Sequence, residues 1–338
     1  MVPVRFIMEA MDKNVSYDAS TQTVVVNAAS SSSTDATTSY KGLSYYHNST
    51  LTAALVEFNS AVSSYKVQEL SNPYRIVIDV QGATGYSDSQ TFNDGTVTQV
   101  RVGQMDGNVT RIVVESPNKL YYRVAKVKKD KMIGIRLSSS KIPDESGVVM
   151  IDPGHGGNSG ASVKVDGTTY REDDYTLAIA KRMYGFLINN GVPAYLTRDS
   201  NVALLLYDRP ELANLFGAEV FISIHCNKFT TASASGTETM YYNKTTNSKI
   251  DAKVYAQAMQ DAMVKALGTT NRGLVDGSKL VVNNCSTMPS ILVETAFLSN
   301  SSDLAKLQNP TTQGKLAGAL ADAVLGVLQK YNITISQG

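Results

Sequence analysis

The pattern of apolar and polar positions changes near residue 147. Before that point, four short segments alternate apolar and polar residues or are rich in β-branched residues, and turn residues separate them. These segments are 74–80, 97–102, 110–114 and 121–127. Several short strands with no long helical pattern predict a small all-β domain, which we place at residues 40–142.

After residue 147, apolar runs alternate with stripes of apolar residues at helical spacing. The runs have the length and composition of buried strands, and a further segment, 237–242, alternates. The stripes recur every three or four residues, as on one face of a helix. The strands predicted from the runs are 148–151, 194–197, 220–224 and 290–293; the predicted helices begin near 173, 209 and 250, with a last one through 316–331. In the first helix, the stripe comprises Tyr175, Ile179, Met183 and Phe186. This order predicts an α/β domain over residues 147–333, with a mostly parallel sheet and helices on both faces.

Two polar segments divide the chain further. Residues 28–39 are almost entirely Ala, Ser, Thr and Asp, which predicts a flexible linker between residues 1–27 and the β domain. Residues 141–147 contain Pro and Gly and predict a short connector to the α/β domain. This organisation suggests that the β domain is a tethered binding module.

Composition excludes several classes of protein. The chain has 338 residues, of which 43% are hydrophobic and 18% are charged, as in folded proteins with more than one domain. A net charge of +1 gives no electrostatic case for a nucleic-acid partner. We expect no transmembrane segment, because no apolar run of about 18 residues is present. The start of the chain lacks the pattern of a signal peptide, and two cysteines are too few for a disulfide framework.

Ionisable residues follow three of the predicted buried strands. The chain has three histidines, and two of them, His155 and His225, lie just past such strands, as does Glu294. In open α/β sheets, sites form outside the carboxyl ends of the strands. We therefore expect these three side chains to meet in one crevice.

Two histidines and a carboxylate are the ligands of a catalytic zinc, which keeps its fourth position open. Glu172, on the segment leading into the first helix, is the candidate third ligand, although spacing alone does not separate it from Asp173 or Asp174. Glu294 is then the proton acceptor and donor that such a site needs.

Structural interpretations compete with each assignment. A histidine at a strand end is often structural, and Glu294 could form a buried ion pair with Arg198 or Arg209. The glycines beside His155 could serve a turn that needs positive φ. A phosphate-binding loop is disfavoured, because no Gly-Lys-Ser/Thr follows them. Cys226 should face away from His225 on the same strand, as a buried thiol, whereas Asn227 should share the face of His225 as a contact to the substrate or to the metal ligands.

Five ordered motifs resemble the zinc-dependent type 3 N-acetylmuramoyl-L-alanine amidases over essentially all of 147–333. They are Asp152-Pro153-Gly154-His155-Gly156-Gly157, Glu172-Asp173-Asp174, Leu196-Thr197-Arg198-Asp199, Ser223-Ile224-His225-Cys226-Asn227 and the segment from Leu292 to Asn300. The resemblance implies one Zn²⁺ per chain, held by His155, Glu172 and His225, with Glu294 as the catalytic residue. It also implies hydrolysis of the amide between N-acetylmuramic acid and L-alanine in peptidoglycan.

Two further resemblances concern the residues before the α/β domain. Segments 72–79 and 100–114 are similar to the AMIN module that precedes such amidases, which implies a β-sandwich that locates the enzyme on the cell wall. Residues 1–27 resemble the end of a copper amine oxidase N-terminal-like module, so we expect the chain to be part of a longer protein. We expect a secreted, wall-associated bacterial monomer whose partner is peptidoglycan, both glycan strand and stem peptide.

The sequence leaves two other functions open and predicts one regulatory feature. A non-catalytic wall-binding protein with an amidase fold and a zinc peptidase acting on the stem peptide are the alternatives. Some relatives carry an inserted helix that plugs the zinc site. Here only the loop-like run 243–248 separates the strand 237–242 from the next helix, which predicts an open groove and basal activity without an activator.

Overall fold

The structure is a computed structural model that describes residues 14–18, 23–27, 38–85 and 87–336. Strands β1 (Asn14–Asp18) and β2 (Thr23–Asn27) pair antiparallel in a unit separate from Thr38–Gly338. Only these two strands are described within residues 1–27, the predicted copper amine oxidase-like segment, and most of the predicted linker lies outside the described residues. Thr38 and Ser39, assigned to the linker from sequence, are instead the first residues of strand β3 (Thr38–His47).

The β domain is a sandwich, as predicted, and consists of two five-stranded sheets. The strands are β3 (Thr38–His47), β4 (Thr52–Phe58), β5 (Ser64–Leu70), β6 (Tyr74–Gln81), β7 (Ala83–Thr84), β8 (Asp88–Thr91), β9 (Gln99–Met105), β10 (Val109–Ser116), β11 (Tyr121–Val127) and β12 (Met132–Ser138). One sheet has the order β5-β6-β10-β9-β8 and the other β11-β12-β4-β3-β7. Neighbouring strands pair antiparallel, except that β3 and β7 are parallel.

The α/β domain is built on a six-stranded sheet. The strands of this domain are β13 (Val149–Pro153), β14 (Ser162–Val165), β15 (Thr168–Arg171), β16 (Ala194–Leu196), β17 (Val220–Asn227), β18 (Thr237–Tyr241), β19 (Asn271–Asp276) and β20 (Ser290–Phe297). The sheet has the order β16-β13-β17-β20-β18-β19. The predicted mostly parallel sheet is confirmed: β16, β13, β17 and β20 are parallel, and β18 reverses direction against β20. Strands β14 and β15 form a separate hairpin, which the sequence pattern did not predict.

Helices cover both faces of this sheet, as predicted. The long helices pack on one face, where they share a core with Ile151, Ile222 and Val293. The helices are α1 (Glu172–Asn189), α2 (Asp208–Leu215), α3 (Ala252–Leu267), α4 (Val281–Asn284), α5 (Ser301–Gln308) and α6 (Pro310–Lys330). Among the described residues, none of these helices combines the length and hydropathy that a membrane-spanning helix needs.

One residue of the predicted helix stripes is not in the core. Phe186 on α1 is 42% exposed. Its ring lies at the surface beside Gly318 of α6, where a Cβ atom would sit 3.5 Å from it. The buried stripe of α1 therefore continues from Met183 to Leu187 and does not include Phe186.

The second face of the sheet is covered by α2, α4 and the β domain. Alternation along β4 sends Ala54 and Val56 into the sandwich core, whereas Ala53 and Leu55 join a second core. That second core also contains Met150 and Phe221 of the α/β sheet and Leu212, Leu215 and Phe216 at α2. The two domains thus share one continuous apolar layer, which the prediction of a tethered module did not foresee.

A buried ion pair lies at the carboxyl end of β13. The Asp152 carboxylate, which is fully buried, accepts hydrogen bonds from Arg209 Nη1 (2.8 Å), Thr197 Oγ1 (2.6 Å) and Ser223 Oγ (2.7 Å). Burial alone would raise the pKa of this carboxyl, but the charge of Arg209 and the two hydroxyl donors outweigh it and lower the pKa. Asp152 of β13 is therefore linked to both neighbouring strands, because Thr197 directly follows β16 and Ser223 lies on β17.

Two arginines hold the loop that follows Asp152. Arg209 donates to the carbonyl oxygens of Pro153 (3.1 Å) and His155 (2.6 Å). Arg198 donates to the carbonyl oxygens of Pro153 (3.0 Å) and Gly154 (2.8 Å). These bonds fix a loop in which His155 has φ of 60°, an unfavourable conformation for a residue with a Cβ atom.

Replacing Asp152 should be strongly destabilising. Asp152→Asn removes the carboxylate charge and leaves the Arg209 guanidinium, whose side chain is 7% exposed, without its charged partner. We expect the free energy of unfolding at neutral pH to fall by about 3–5 kcal/mol, measured by urea denaturation. Because the folded-state pKa of Asp152 is lowered, the contribution of the pair should be lost as the pH falls through that pKa. The control is Asp79→Asn, which breaks the more exposed pair with Arg111 and should cost about 0–1 kcal/mol. Equal losses in the two variants would contradict this account.

Gly134 on β12 tests the packing between the two domains. A Cβ atom at Gly134 would lie 2.9 Å from Cδ1 of Leu215 in α2, whereas one at Gly103 on β9 would meet nothing within 4 Å. We expect Gly134→Val to lower the free energy of unfolding by about 1–3 kcal/mol through overpacking. Gly103→Val should be neutral or slightly stabilising, because a β-branched residue suits a strand. A Gly134→Val protein as stable as the wild type would show that the domains do not pack in this way.

Candidate functional site

Three of the predicted site residues lie together at the carboxyl ends of the central strands. His155 Nε2 is 3.1 Å from Oε2 of Glu172, and His225 Nδ1 is 2.8 Å from Oε1 of the same carboxylate. The two imidazole rings meet edge to face, with centroids 4.8 Å apart. The three donor atoms all lie within 4.8 Å of one another, and the group could hold a metal ion.

Strand alternation explains why His225 enters this group. On β17, Val220, Ile222 and Ile224 point into the core under the long helices, so His225 points to the opposite face. Cys226 then returns to the core, where its Sγ lies 3.3 Å from Thr295 Oγ1. The predicted buried thiol is confirmed, and burial, together with the negative charge of Glu172, raises its pKa.

Glu172 is the acid of the Glu172-Asp173-Asp174 stretch that contacts the histidines. It is the first residue of α1 rather than part of the preceding loop, and its carboxylate also accepts from the backbone amides of Ala161 (2.7 Å) and Cys226 (3.1 Å). Burial opposes its ionisation, but hydrogen bonds and charges from His155 and His225 hold its pKa well below the usual range. Asp173 is buried without a hydrogen-bond partner for its side chain among the described residues.

The glycines around the histidines serve two different purposes. Gly156 and Gly157 have φ of 113° and 67°, as the turn interpretation predicted. Gly154, by contrast, does not have positive φ; a Cβ atom there would lie 2.5 Å from Cε1 and Nε2 of His225. A Cβ atom at Gly160 would lie 2.7 Å from the His155 ring. The absence of side chains at Gly154 and Gly160 therefore leaves room for both imidazoles.

The donor set fits a catalytic metal ion. Two imidazole nitrogens and one carboxylate are the three protein ligands of such zinc sites, which leave a position for water. Glu172 contacts the two histidines at 2.8 and 3.1 Å, and one donor atom of each residue lies within 4.8 Å of the others, so the three side chains are close enough to bind a single ion.

Glu294 lies beside this group in an unusual environment. It is the residue paired with His225 in the β17–β20 register. Its Oε2 atom is buried and has no hydrogen-bond partner among the described residues. Burial raises the pKa of this carboxyl well above its usual range, and the charges of Glu172 and Glu238 add to the effect. The alternative of an ion pair with Arg198 or Arg209 is wrong, because those arginines bind the Asp152 loop.

Two of these residues lie inside strands rather than after them. Strand β17 continues to Asn227 and β20 to Phe297, so His225 and Glu294 are two or three residues before the strand ends. A register shift between β17 and β20 occurs at His225–Asn227. This irregularity in the pairing of β17 with β20 therefore begins at the site residue His225.

Asn227 belongs to a polar relay that the sequence did not predict. Its Nδ2 donates to Oε1 of Glu238 (2.9 Å), and its Oδ1 accepts from the amide of Lys228 (2.8 Å). Arg272 Nε donates to Oε2 of Glu238 (2.8 Å), and the guanidinium lies over the ring of Phe297 at 5.0 Å. Because Glu238 pairs with Glu294 across β18 and β20, the relay borders the site. The only sequence feature that pointed to Glu238 was its charge within a strand that is partly buried. Residue spacing gave no indication of Arg272.

Known proteins match both domains. The sequence profile of the family described as N-acetylmuramoyl-L-alanine amidase matches residues 149–325, and that of the AMIN domain matches residues 49–137. The chain is 34% identical to N-acetylmuramoyl-L-alanine amidase LytC of Bacillus subtilis over 185 residues, which cover 55% of this chain and 36% of that protein. It therefore spans about a third of the length of that relative.

A longer match and a solved structure agree with these profiles. The chain is 26% identical to N-acetylmuramoyl-L-alanine amidase AmiC of Escherichia coli over 369 aligned residues, covering 84% of this chain and 87% of that protein. The crystal structure of N-acetylmuramoyl-L-alanine amidase from Clostridium difficile 630 superposes with a TM-score of 0.50 and 33% identity, covering 54% of this chain and 96% of that one. The profile match over residues 149–325, together with the α/β fold described above, shows that this chain belongs to the N-acetylmuramoyl-L-alanine amidase family.

Proposed function

We propose that this chain is a zinc-dependent peptidoglycan amidase that hydrolyses the amide bond between N-acetylmuramic acid and L-alanine. The observation that carries the proposal is the convergence of His155, Glu172 and His225 beside a buried Glu294, in a chain of the amidase family. His155, Glu172 and His225 would hold the ion. When bound, zinc lowers the pKa of water and polarises a carbonyl oxygen.

Glu294 is suited to moving the proton in this reaction. Its raised pKa makes it able to accept a proton from the attacking water at its carboxylate and to donate it to the amide nitrogen of L-alanine as the bond breaks. Glu172 has the opposite environment, because two histidines and two backbone amides favour its ionised form. The two carboxyl groups are therefore suited to different roles, with Glu172 as ligand and Glu294 as acid and base.

The AMIN match supports a role at the cell wall. We propose that the protein is secreted, binds peptidoglycan and acts as a monomer. The alternatives are a wall-binding protein without activity and a zinc peptidase that cuts within the stem peptide. Mass analysis of purified peptidoglycan after digestion separates the three: an amidase frees the N-terminal amine of L-alanine, a peptidase leaves that amide intact, and a binding protein yields no product.

Exchanging the two glutamates for glutamine should separate their roles. Glu294→Gln should keep about one equivalent of zinc per chain and lose about 10²–10⁴-fold in activity, because glutamine cannot accept the proton. Glu172→Gln should weaken zinc binding itself. Metal analysis and hydrolysis of a soluble muropeptide measure both effects, with Glu219→Gln, elsewhere in the same domain, as the control.

Two outcomes would overturn the assignment. Loss of zinc in Glu294→Gln with retention in Glu172→Gln would mean that the roles are exchanged. Full activity of protein stripped of metal by a chelator would remove zinc from the reaction altogether.

The loop after β18 predicts activity without an activator. Residues 242–251, between β18 and α3, contain no helix in this described stretch of the chain, so they offer no plug for the site. We expect the purified protein to release peptides from peptidoglycan without any added protein. Mass analysis of the digest measures this release. A rate that is undetectable until a second protein is added would show that another part of the chain closes the groove.

A further inference from the structure

The turn between β3 and β4 of the β domain binds the edge strand of the catalytic sheet. Asn48 Nδ2 donates to the carbonyl oxygens of Leu196 (3.0 Å) and Thr197 (3.3 Å). The Leu196 amide donates to Thr50 Oγ1 (3.0 Å), and the backbone amide of Ser49 donates to Asp199 Oδ2 (2.9 Å). The turn thus takes the place of a further strand along β16, whose outer side would otherwise have unpaired backbone groups.

A second contact reaches the start of helix α2. Tyr46, just before the turn, donates from its hydroxyl to Oδ2 of Asp208 at 2.6 Å. Asp208 is 3% exposed, and burial raises its pKa despite that hydrogen bond. One turn further along α2, Glu211 Oε2 accepts from the backbone amide of Lys128 in the β domain (2.8 Å). The first turn of α2 is therefore fixed by the β domain.

Both bound segments are the ones that hold the loop of His155. Thr197 and Arg198 follow Leu196 directly, and Arg209 follows Asp208. These residues bind the Asp152 carboxylate and the carbonyl oxygens of 153–155. The route from Tyr46 to the His155 carbonyl thus passes through Asp208 and Arg209. The route from Asn48 to Gly154, the residue before His155, passes through Thr197 and Arg198.

We propose that Tyr46 and Asn48 are positioning residues for the metal-binding loop, so that the β domain sets the geometry of the site as well as any contact with the wall. The inference rests on the proposed function in taking His155 as a zinc ligand. It predicts that weakening these contacts lowers zinc affinity and turnover of a soluble muropeptide, a substrate too small to require wall targeting.

The test uses substitutions in the full chain. Tyr46→Phe removes the hydroxyl that binds Asp208. Asn48→Asp keeps Oδ1, which organises the turn by accepting from the amides of Thr50 and Leu51. It replaces the amide donor by an oxygen that faces two carbonyl oxygens, so only the contact between the domains becomes repulsive.

Each variant has a matched control in the same hairpin. Tyr45→Phe removes a hydroxyl that binds Asp94 within the β domain at 2.5 Å. Asn59→Asp makes the same charge change at an exposed position, where Oδ1 accepts from the amide of Ser39, at the opposite end of the β3–β4 pair. The controls change the same chemical groups without touching β16 or α2.

We expect the double variant Tyr46→Phe/Asn48→Asp to bind zinc about 10-fold more weakly in a chelator competition, at the lower end of the effects seen for groups that orient metal ligands. The kcat for the muropeptide should fall by a similar factor with little change in KM. Hydrogen exchange in the peptide covering 153–160 should become faster. The control pair Tyr45→Phe/Asn59→Asp should leave all three measurements unchanged.

Each outcome of these measurements either supports or overturns the positioning role of Tyr46 and Asn48. Zinc affinity, kcat and exchange that match the control pair would overturn the proposal, even if thermal stability fell. Should the double variant fail to fold, the two single variants are measured in the same way. A wild-type chain that binds zinc but does not turn over the muropeptide would contradict the proposed function alone, because metal affinity and exchange at 153–160 still test the positioning role.

Discussion

The site depends on a single buried carboxylate. Asp152 lies near the end of β13, and the residues that follow β13 form the His155 loop. Its carboxylate accepts hydrogen bonds from Arg209, Thr197 and Ser223, which lie on three other segments. A buried charge is costly unless it is paired and fully hydrogen-bonded, so the four groups have few alternative arrangements. The positions of β13, β16, β17 and α2 are therefore coupled to one another at the point where the loop begins.

This coupling explains how the loop tolerates an unfavourable backbone. A residue with a Cβ atom at φ of 60° persists only where its surroundings determine its conformation. Here the carbonyl oxygens of Pro153, Gly154 and His155 all accept from arginines that are themselves buried. The arginines thus replace the water that would otherwise solvate these carbonyls, and His155 is directed at Glu172.

Much of the fold and part of the site could be predicted from the sequence. Period-two and helical patterns depend on nearby residues, so they located the strands, the main helices and the C-terminal halves of the strands in or near which His155, His225 and Glu294 lie. They also placed Cys226 and His225 on opposite faces. The ion pair of Asp152 and Arg209 joins residues far apart in sequence, and no local pattern selects one arginine over another. The relay of Asn227, Glu238 and Arg272 escaped prediction for the same reason.

The docking of the β domain had a partial signal in the sequence. Strand β4 contains the uninterrupted apolar run Ala53-Ala54-Leu55-Val56, and such a run requires cover on both faces. A sandwich core covers only one of them. The run therefore implied a second partner, although it could not identify the face of the α/β sheet as that partner.

The two faces of the catalytic sheet carry different kinds of side chain, and only one of them carries the residues of the site. One face carries Ile151, Ile222 and Val293 under the long helices and supports the sheet by apolar packing. Asp152, His225 and Glu294 lie on the other face. Side chains alternate along a strand, and each of these residues directly follows a residue that packs under the long helices. The β domain packs on this second face through Ala53 and Leu55. The reactive side chains thus share their face with the β domain, and a change in the packing of the two domains acts directly on the strands that carry those side chains.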